Sequence, residues 1–545
     1  MAISSGITTR IAQWVATVPL SAVPERVREK ARYQIASVTA AVLAGSTTVG
    51  ARAVASLSTP GPAPLLPTRQ TVRVEDAVAA AAAASMAHDY DDYLLFGHTG
   101  HSAVLVPLLL AAETGATSQE VLAAQIVANE VGGRVGAAMV LGPHNGQMWA
   151  AIHAVGAACA ASRLFGLDPA QTRDAIGIAL FLPPFPVTSG FMGPSSKLLT
   201  AALPAVNGLI AARLARSGMT GAPDILGSPQ GFLAEFCTAA LPQFLTGLGR
   251  AWVTDTLAYK IYPGCAYVDA AVDATLAILE RLGEPGGIDP VRVDRIDVRA
   301  TALTIGMEHL SGEGPPTAIR ANFSAALSVG LALLHGRLTP LELEPGRIAA
   351  DGDRLRALSS RTRIVHDWDA TVRLLRALDS SLHLRRLLRG VDPAALRRAG
   401  REALRRTGVR LGASPREIGA LFLAAGLAGG RFAWDAARNA WGRESARSDP
   451  YDLGLARLDE FEFPIGAEVT LRVDGIDHRE RVVRPKGTPG DWPATFGLVS
   501  DKLVAEAARR GRGPEGRRLM DKIVRFEAHS PADILESLSI LGGDS

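Results

Sequence analysis

The chain has 545 residues, with 57 Lys plus Arg against 54 Asp plus Glu and a formal net charge of +3. That balance gives no support to a nucleic-acid binder, and the length predicts two to four domains of about 150 residues. Hydrophobic residues make up 48% and aromatics only 5%, which excludes fibrous and disordered classes and predicts a large core of closely packed Ala/Leu/Val helices. Cys159, Cys237 and Cys265 are far apart and odd in number, so neither a disulfide framework nor a zinc or iron–sulfur ligand set is expected. The N-terminal MAISSGITTRIAQWVATVPL reads as an amphipathic helix rather than a signal peptide. No run of 18 apolar residues occurs without interruption, so a cytoplasmic protein with no membrane span is expected.

In chain order, Ile11, Trp14 and Val15 repeat at helical spacing, and residues 27–44 continue in the same way. DAVAAAAAASMAH (76–88) has high helix propensity and small side chains suited to close packing. Helices are expected over 121–131, 150–164 and 198–216, punctuated by Gly and Pro, which makes the first half all-helical. The pattern then changes. Alternation over 290–305, 361–368 and 466–487 predicts strands, with two strands of a hairpin within 466–487 and a helix over 321–334 between the first two runs. The expected fold is mainly α, with a large helical domain (1–265) and a smaller α+β lid (266–489). Final helices (490–545) return to the first domain. Residues 371–449 hold 16 Arg, no Lys and seven acids, a net of +9 that leaves the remainder at −6, and they read as a solvated helical insertion.

Histidine placement is the sharpest chemical signal. Three of the 11 histidines and three carboxylates fall in HDYDDYLLFGHTGH (88–101), a polar loop between two apolar helices. His101 stands just before a helix N-terminus, whose partial positive charge disfavours imidazolium, so a neutral general base is expected there. Capping of the helix ends is the structural alternative. Metal binding through His98 and His101 with Asp89 or Asp92 is another, though no further cluster supplies ligands. A second feature is Lys197, in the first turn of the helix that follows GFMGPSS. A cation is unfavourable at that end without an anion, so a carboxylate or phosphate site is expected, against the alternative of a lysine that reaches out to water. The third is YKIYPGC (259–265), where Lys260 precedes a Pro-Gly hinge at the change of pattern.

Together these segments resemble the MmgE/PrpD family, which includes 2-methylcitrate dehydratases, cis-aconitate decarboxylases and iminodisuccinate epimerases. The family's H-x-x-D-x-D-D-x…H-P-S pattern appears as HDYDDYLLFGHTGHS, and its glycine-rich lysine stretch as GPSSKLLTAALPAVNGLIAARLARSGMTG. The K-x-Y-P-x-C box is KIYPGC, and the A-R-F-S box is Ala321-Asn322-Phe323-Ser324. The resemblance implies a homodimer with no metal and no cofactor, and an interdomain site for a small carboxylate built from Asp89, His101, Lys197 and Lys260. Ser196, Gln147, Cys265 and His309 are expected around the substrate, and Tyr93 is a further catalytic candidate.

Departures from the pattern matter too. Tyr93 replaces the usual Thr, and Ser102 the usual Pro. Gln147 stands where an active-site His is usual, with His144 and His153 off-register. Cys265 stands where the decarboxylases carry His, Asp269 stands at a later family His, and His309 or Met307 takes the place of a lid Tyr. The pocket is therefore less cationic, which argues against an unmodified tricarboxylate. The implied chemistry is proton transfer next to a carboxylate. A lyase is the first expectation, a pathway-specific isomerase, epimerase or cyclase the second, and a degenerate binding partner the third.

Overall fold

The computed structural model describes residues 6–143, 147–312, 314–388, 391–407 and 451–542. The fold is mainly α. Helices Glu25–Gly45, Val74–Met86, Ser118–Ala138, Gln147–Leu164 and Leu199–Arg216 build the first core. Their alanines and glycines let the axes approach closely. A Cβ at Gly208 would stand 2.2 Å from the carbonyl oxygen of Ala154, so only glycine permits that crossing. Ser195–Arg216 is long and apolar enough to cross a membrane, but most of it is buried against its neighbours.

The second core surrounds a four-stranded sheet of Val293–Ala300, Thr362–His366, Ala467–Val473 and Ile476–Val482. Val293–Ala300 is central, parallel to Thr362–His366 and antiparallel to Ala467–Val473, which forms a hairpin with Ile476–Val482. These strands fall within the segments whose alternation predicts them. Helix Asp269–Leu282 covers the sheet. Leu374, Leu378 and Leu382 of helix Trp368–Leu382 pack into the first core, as do Val499, Leu503, Leu519, Ile523 and Leu535 of the C-terminal helices. Most of the Arg-rich stretch, 408–450, lies outside the described residues.

Two expectations need correction. The first half is not wholly helical. Pro60–Pro64 pairs with Thr71–Val72, and Asp92–Leu94 pairs with Leu257–Tyr259. The expected helix over 321–334 is broken at 322–324, because Ser324 caps a new helix, Ala325–His335, by accepting from the amide of Leu327.

Candidate active site

The short ladder between Asp92–Leu94 and Leu257–Tyr259 assembles the site. Asp92 pairs with Tyr259. One step further along, Lys260 N donates to Asp91 O at 3.1 Å, and Gly264 N donates to Asp89 O at 3.3 Å. Backbone pairing thus lays the K-x-Y-P-x-C box along the D-x-D-D motif. Asp89 takes a left-handed φ of 48°, a conformation that Asp tolerates better than most residues.

The three aspartates separate by function. Asp89 meets Lys197, with Oδ2 2.7 Å from Nζ, and lies 3.9 Å from the Lys260 ammonium. Asp91 meets Lys260 at 3.2 Å and receives a 2.9 Å hydrogen bond from His98 Nδ1. His101 Nε2 lies 3.0 Å from the same Asp91 oxygen but off the hydrogen-bond direction. Asp92, on the opposite side of the strand, turns away into a network of amides. Gln34 donates to it at 2.8 Å, and Asn129 and Gln125 donate to Gln34. A Cβ at position 100 would strike Asp92 Oδ1 at 2.0 Å, so Gly100 makes room for that carboxyl.

Burial works against every charge here, and the pairings decide the outcome. Lys197 and Lys260 outweigh burial at Asp89 and hold it below the usual carboxylate range. Lys260, His101 and His98 do so more strongly at Asp91. Lys260 is held up by Asp91 and Asp89 despite burial. Burial lowers Lys197, partly offset by Asp89. Asp92, with burial and Asp91 against it, is pushed up to about 7. Burial also lowers His98 and brings His88 down to about 4, so both rings are neutral near pH 7. Two lysines therefore face two ionised aspartates, and the centre is close to neutral.

His101 lies within the first turn of Gly100–Ala103 rather than before it, and is fully buried. Its partner is Asp91, not Asp89. On its other side Nδ1 lies 2.8 Å from Ser85 Oγ, which also reaches the carbonyl of Ala82 at 2.9 Å. Lys197 sits in the turn Ser195–Leu198 that opens its helix. It is fully buried rather than extended to water, and 4.8 Å from the ring of Phe323. Tyr93 is buried near Asp269 and Cys265, and burial holds its phenol well above the usual range. Cys265 is pushed up to about 12, chiefly by burial, and stays a thiol.

Two expected residues are not brought into the centre. Ser196 is exposed and donates to Gly190 O at 2.8 Å. His309 is exposed because its helix turns Glu308 inward instead, where Glu308 accepts from Ser324 Oγ at 2.8 Å. The side chain of Gln147, like His144, lies outside the described residues. His153 reaches the centre although the family pattern leaves it off-register. Its ring stands 5.3 Å from that of His101, its Nδ1 lies 3.1 Å from Ser102 Oγ, and its Nε2 has no partner among the described residues. Lys502 had no sequence signal. From the C-terminal helix Trp492–Arg509 it donates to Ser37 Oγ, to Tyr90 O and to Lys260 O. Asp91, His98 and His101 place three possible metal-ligand atoms within 4.8 Å of one another, the one such group among the described residues. The Lys260 ammonium already supplies a cation to that carboxylate.

Residues 9–245 match the MmgE/PrpD N-terminal domain, and residues 262–381 match the MmgE/PrpD C-terminal domain. The chain belongs to the MmgE/PrpD family. Among curated MmgE/PrpD relatives, a cis-aconitate decarboxylase-like protein of Aspergillus oryzae is 25% identical over 66% of this chain and 80% of its own length. A cis-aconitate decarboxylase of Aspergillus terreus is 28% identical over 50% of this chain and 59% of its own. The same activity's protein from a second A. terreus strain is 28% identical over 51% and 61%. The match thus spans about three fifths of the two A. terreus relatives.

Proposed function

We propose that this MmgE/PrpD protein transfers a proton at a carbon next to a carboxylate, as a lyase that dehydrates or decarboxylates a small carboxylic acid. The observation that carries the reading is the buried set of Lys197, Lys260, Asp91 and His101, assembled from three motifs. Removal of such a proton builds negative charge on the carboxylate oxygens, and preorganised cations stabilise it. Lys197 Nζ is paired with Asp89 and has no other polar partner among the described residues, so its remaining N–H groups are available to a ligand carboxylate.

His101 would move the proton. With the Ser85 hydroxyl hydrogen directed to Ala82 O, the Ser85 oxygen accepts from Nδ1–H, which leaves Nε2 as the basic nitrogen. A proton taken up there lies 3.0 Å from Asp91, which stabilises the imidazolium until the proton is passed on. The names of the relatives support the decarboxylase outcome. The near-neutral centre favours a substrate less anionic than a tricarboxylate. Incubation with candidate acids in deuterium oxide tests the reading. Deuterium uptake with loss of water or carbon dioxide is expected. Exchange with neither loss would mark an isomerase or epimerase, and no exchange with any acid would leave a binding protein.

A further inference from the structure

Asn322 lies in the break between Ala318–Ala321 and Ala325–His335. Its backbone is fully engaged, since its N–H donates to Ala318 O at 3.1 Å and its carbonyl accepts from Cys265 N at 2.6 Å. Its side chain is fully buried, yet neither Oδ1 nor Nδ2 has a hydrogen-bond partner among the described residues. An amide offers two donors and two acceptor sites, and natural proteins seldom bury one with none of them used. The residue belongs to the site wall on both flanks. Phe323 covers Lys197 at 4.8 Å, and Cys265 follows Gly264, which bonds to Asp89.

A second unpartnered group stands in the same region. Asp269 opens helix Asp269–Leu282, is 3% exposed and leaves Oδ1 without a partner among the described residues. Burial, with Asp273 next, pushes its carboxyl well above the usual range, which favours the protonated acid. Beside it are the phenol of Tyr93 and the thiol of Cys265, both uncharged. The family box carries Arg where Asn322 stands. An amide supplies no charge for a second carboxylate, and a carboxylate, which only accepts, can meet Nδ2 but leaves Oδ1 unsatisfied. A group that both donates and accepts satisfies Oδ1 and Nδ2 together.

We propose that Asn322 and Asp269 form a hydrogen-bonding subsite for an uncharged polar group, hydroxyl or amide, on a substrate whose single carboxylate sits at Lys197 and Lys260. The proposal rests on the carboxylate reading above and narrows its substrate class to monocarboxylic acids with a polar neutral end.

Matched probes test it on the full chain by calorimetric titration: succinate against succinamate, and glutarate against glutaramate. Each pair differs only in a carboxylate replaced by an amide. The protein should bind the amide member at least tenfold more tightly. Asn322→Leu should reduce that preference to less than threefold. Its melting temperature should be no lower than that of the unaltered protein, because no side-chain hydrogen bond is lost. If Asn322→Leu does not fold, Asn322→Ala is read in the same way. Lys197→Ala should weaken both members of a pair at least tenfold. Equal or tighter binding of the dicarboxylates, lost in Lys197→Ala, would overturn the subsite and leave the carboxylate reading intact. A preference that survives at position 322 would also overturn it. Failure of all four probes to bind would overturn both readings.

Discussion

His101 meets Asp91 through one ring nitrogen and Ser85 through the other, and both contacts are sealed from water. Proton transfer by such a group typically contributes about 10²–10⁴-fold, so His101→Asn should lower kcat by that factor in the deuterium exchange assay. His88, by contrast, is a neutral buried ring that bonds to the backbone of Ala44 and feels Lys197 and Asp89 only as nearby charges, and His88→Asn should keep kcat within about threefold. Asp92 makes a prediction of opposite character. Its carboxyl is pushed up from 3.8 to about 7, so the folded state holds a proton that the unfolded chain releases. Stability from this group is therefore present below pH 3.8 and is lost as pH rises through about 7. Asp92→Asn cannot ionise. At pH 8 it should be more stable than the unaltered protein by on the order of 1–3 kcal/mol, and at pH 4 the two should be equal. Urea titrations at the two pH values check this, and an equal difference at both would rule the ionisation account out.

At the scale of elements, the ladder of Asp92–Leu94 with Leu257–Tyr259 and the helix Trp492–Arg509 act on the same backbone. Lys502 clamps Tyr90 O and Lys260 O from the C-terminal side, and burial brings its ammonium down to about 7. Lys502→Met would leave two buried carbonyls and a hydroxyl without their donor. A loss of about 3–5 kcal/mol is expected, together with lower kcat because Lys260 and Asp91 shift. Unchanged denaturation midpoint and turnover would show that the ladder alone holds the site. The A-N-F-S break shows why element boundaries were harder to read. Ala321 to Leu334 is continuous in helical periodicity. Only the cap made by Ser324, supported by Glu308 from a separate helix, ends one helix and starts the next.

For the whole molecule, the family resemblance implies a homodimer, and the surface supplies a candidate face for it. Phe181, Leu182, Phe185 and Val187 are exposed between two helices, and Leu199, Leu203 and Ile210 are exposed along Leu199–Arg216. Apolar groups concentrated in this way mark association surfaces. Sedimentation at micromolar concentration should give twice the chain mass, and Leu203→Arg should give the monomer with the fold retained. A monomer before substitution counts against the dimer.

Helix periodicity and the alternation of the later strands were set by local chemistry, so the sequence by itself determined the mainly α fold and the strands of the later sheet, and the grouping of Asp89, His101, Lys197 and Lys260 in one site came from the motifs shared with the MmgE/PrpD family. The sequence did not determine which carboxylate serves which cation. Asp89, Asp91 and Asp92 are neighbours in the chain with the same intrinsic acidity. Strand alternation sends Asp92 to the amides of Gln34 and its neighbours, and pairing with Lys260 places Asp91 under His101. Ser85, His153, Lys502 and Asn322 became legible only in three dimensions, because each acquires its chemistry from a partner, or the lack of one, that lies far away in the chain. Ser196 and His309 failed for the same reason, since their neighbours in sequence, Lys197 and Glu308, turn inward and leave them at the surface.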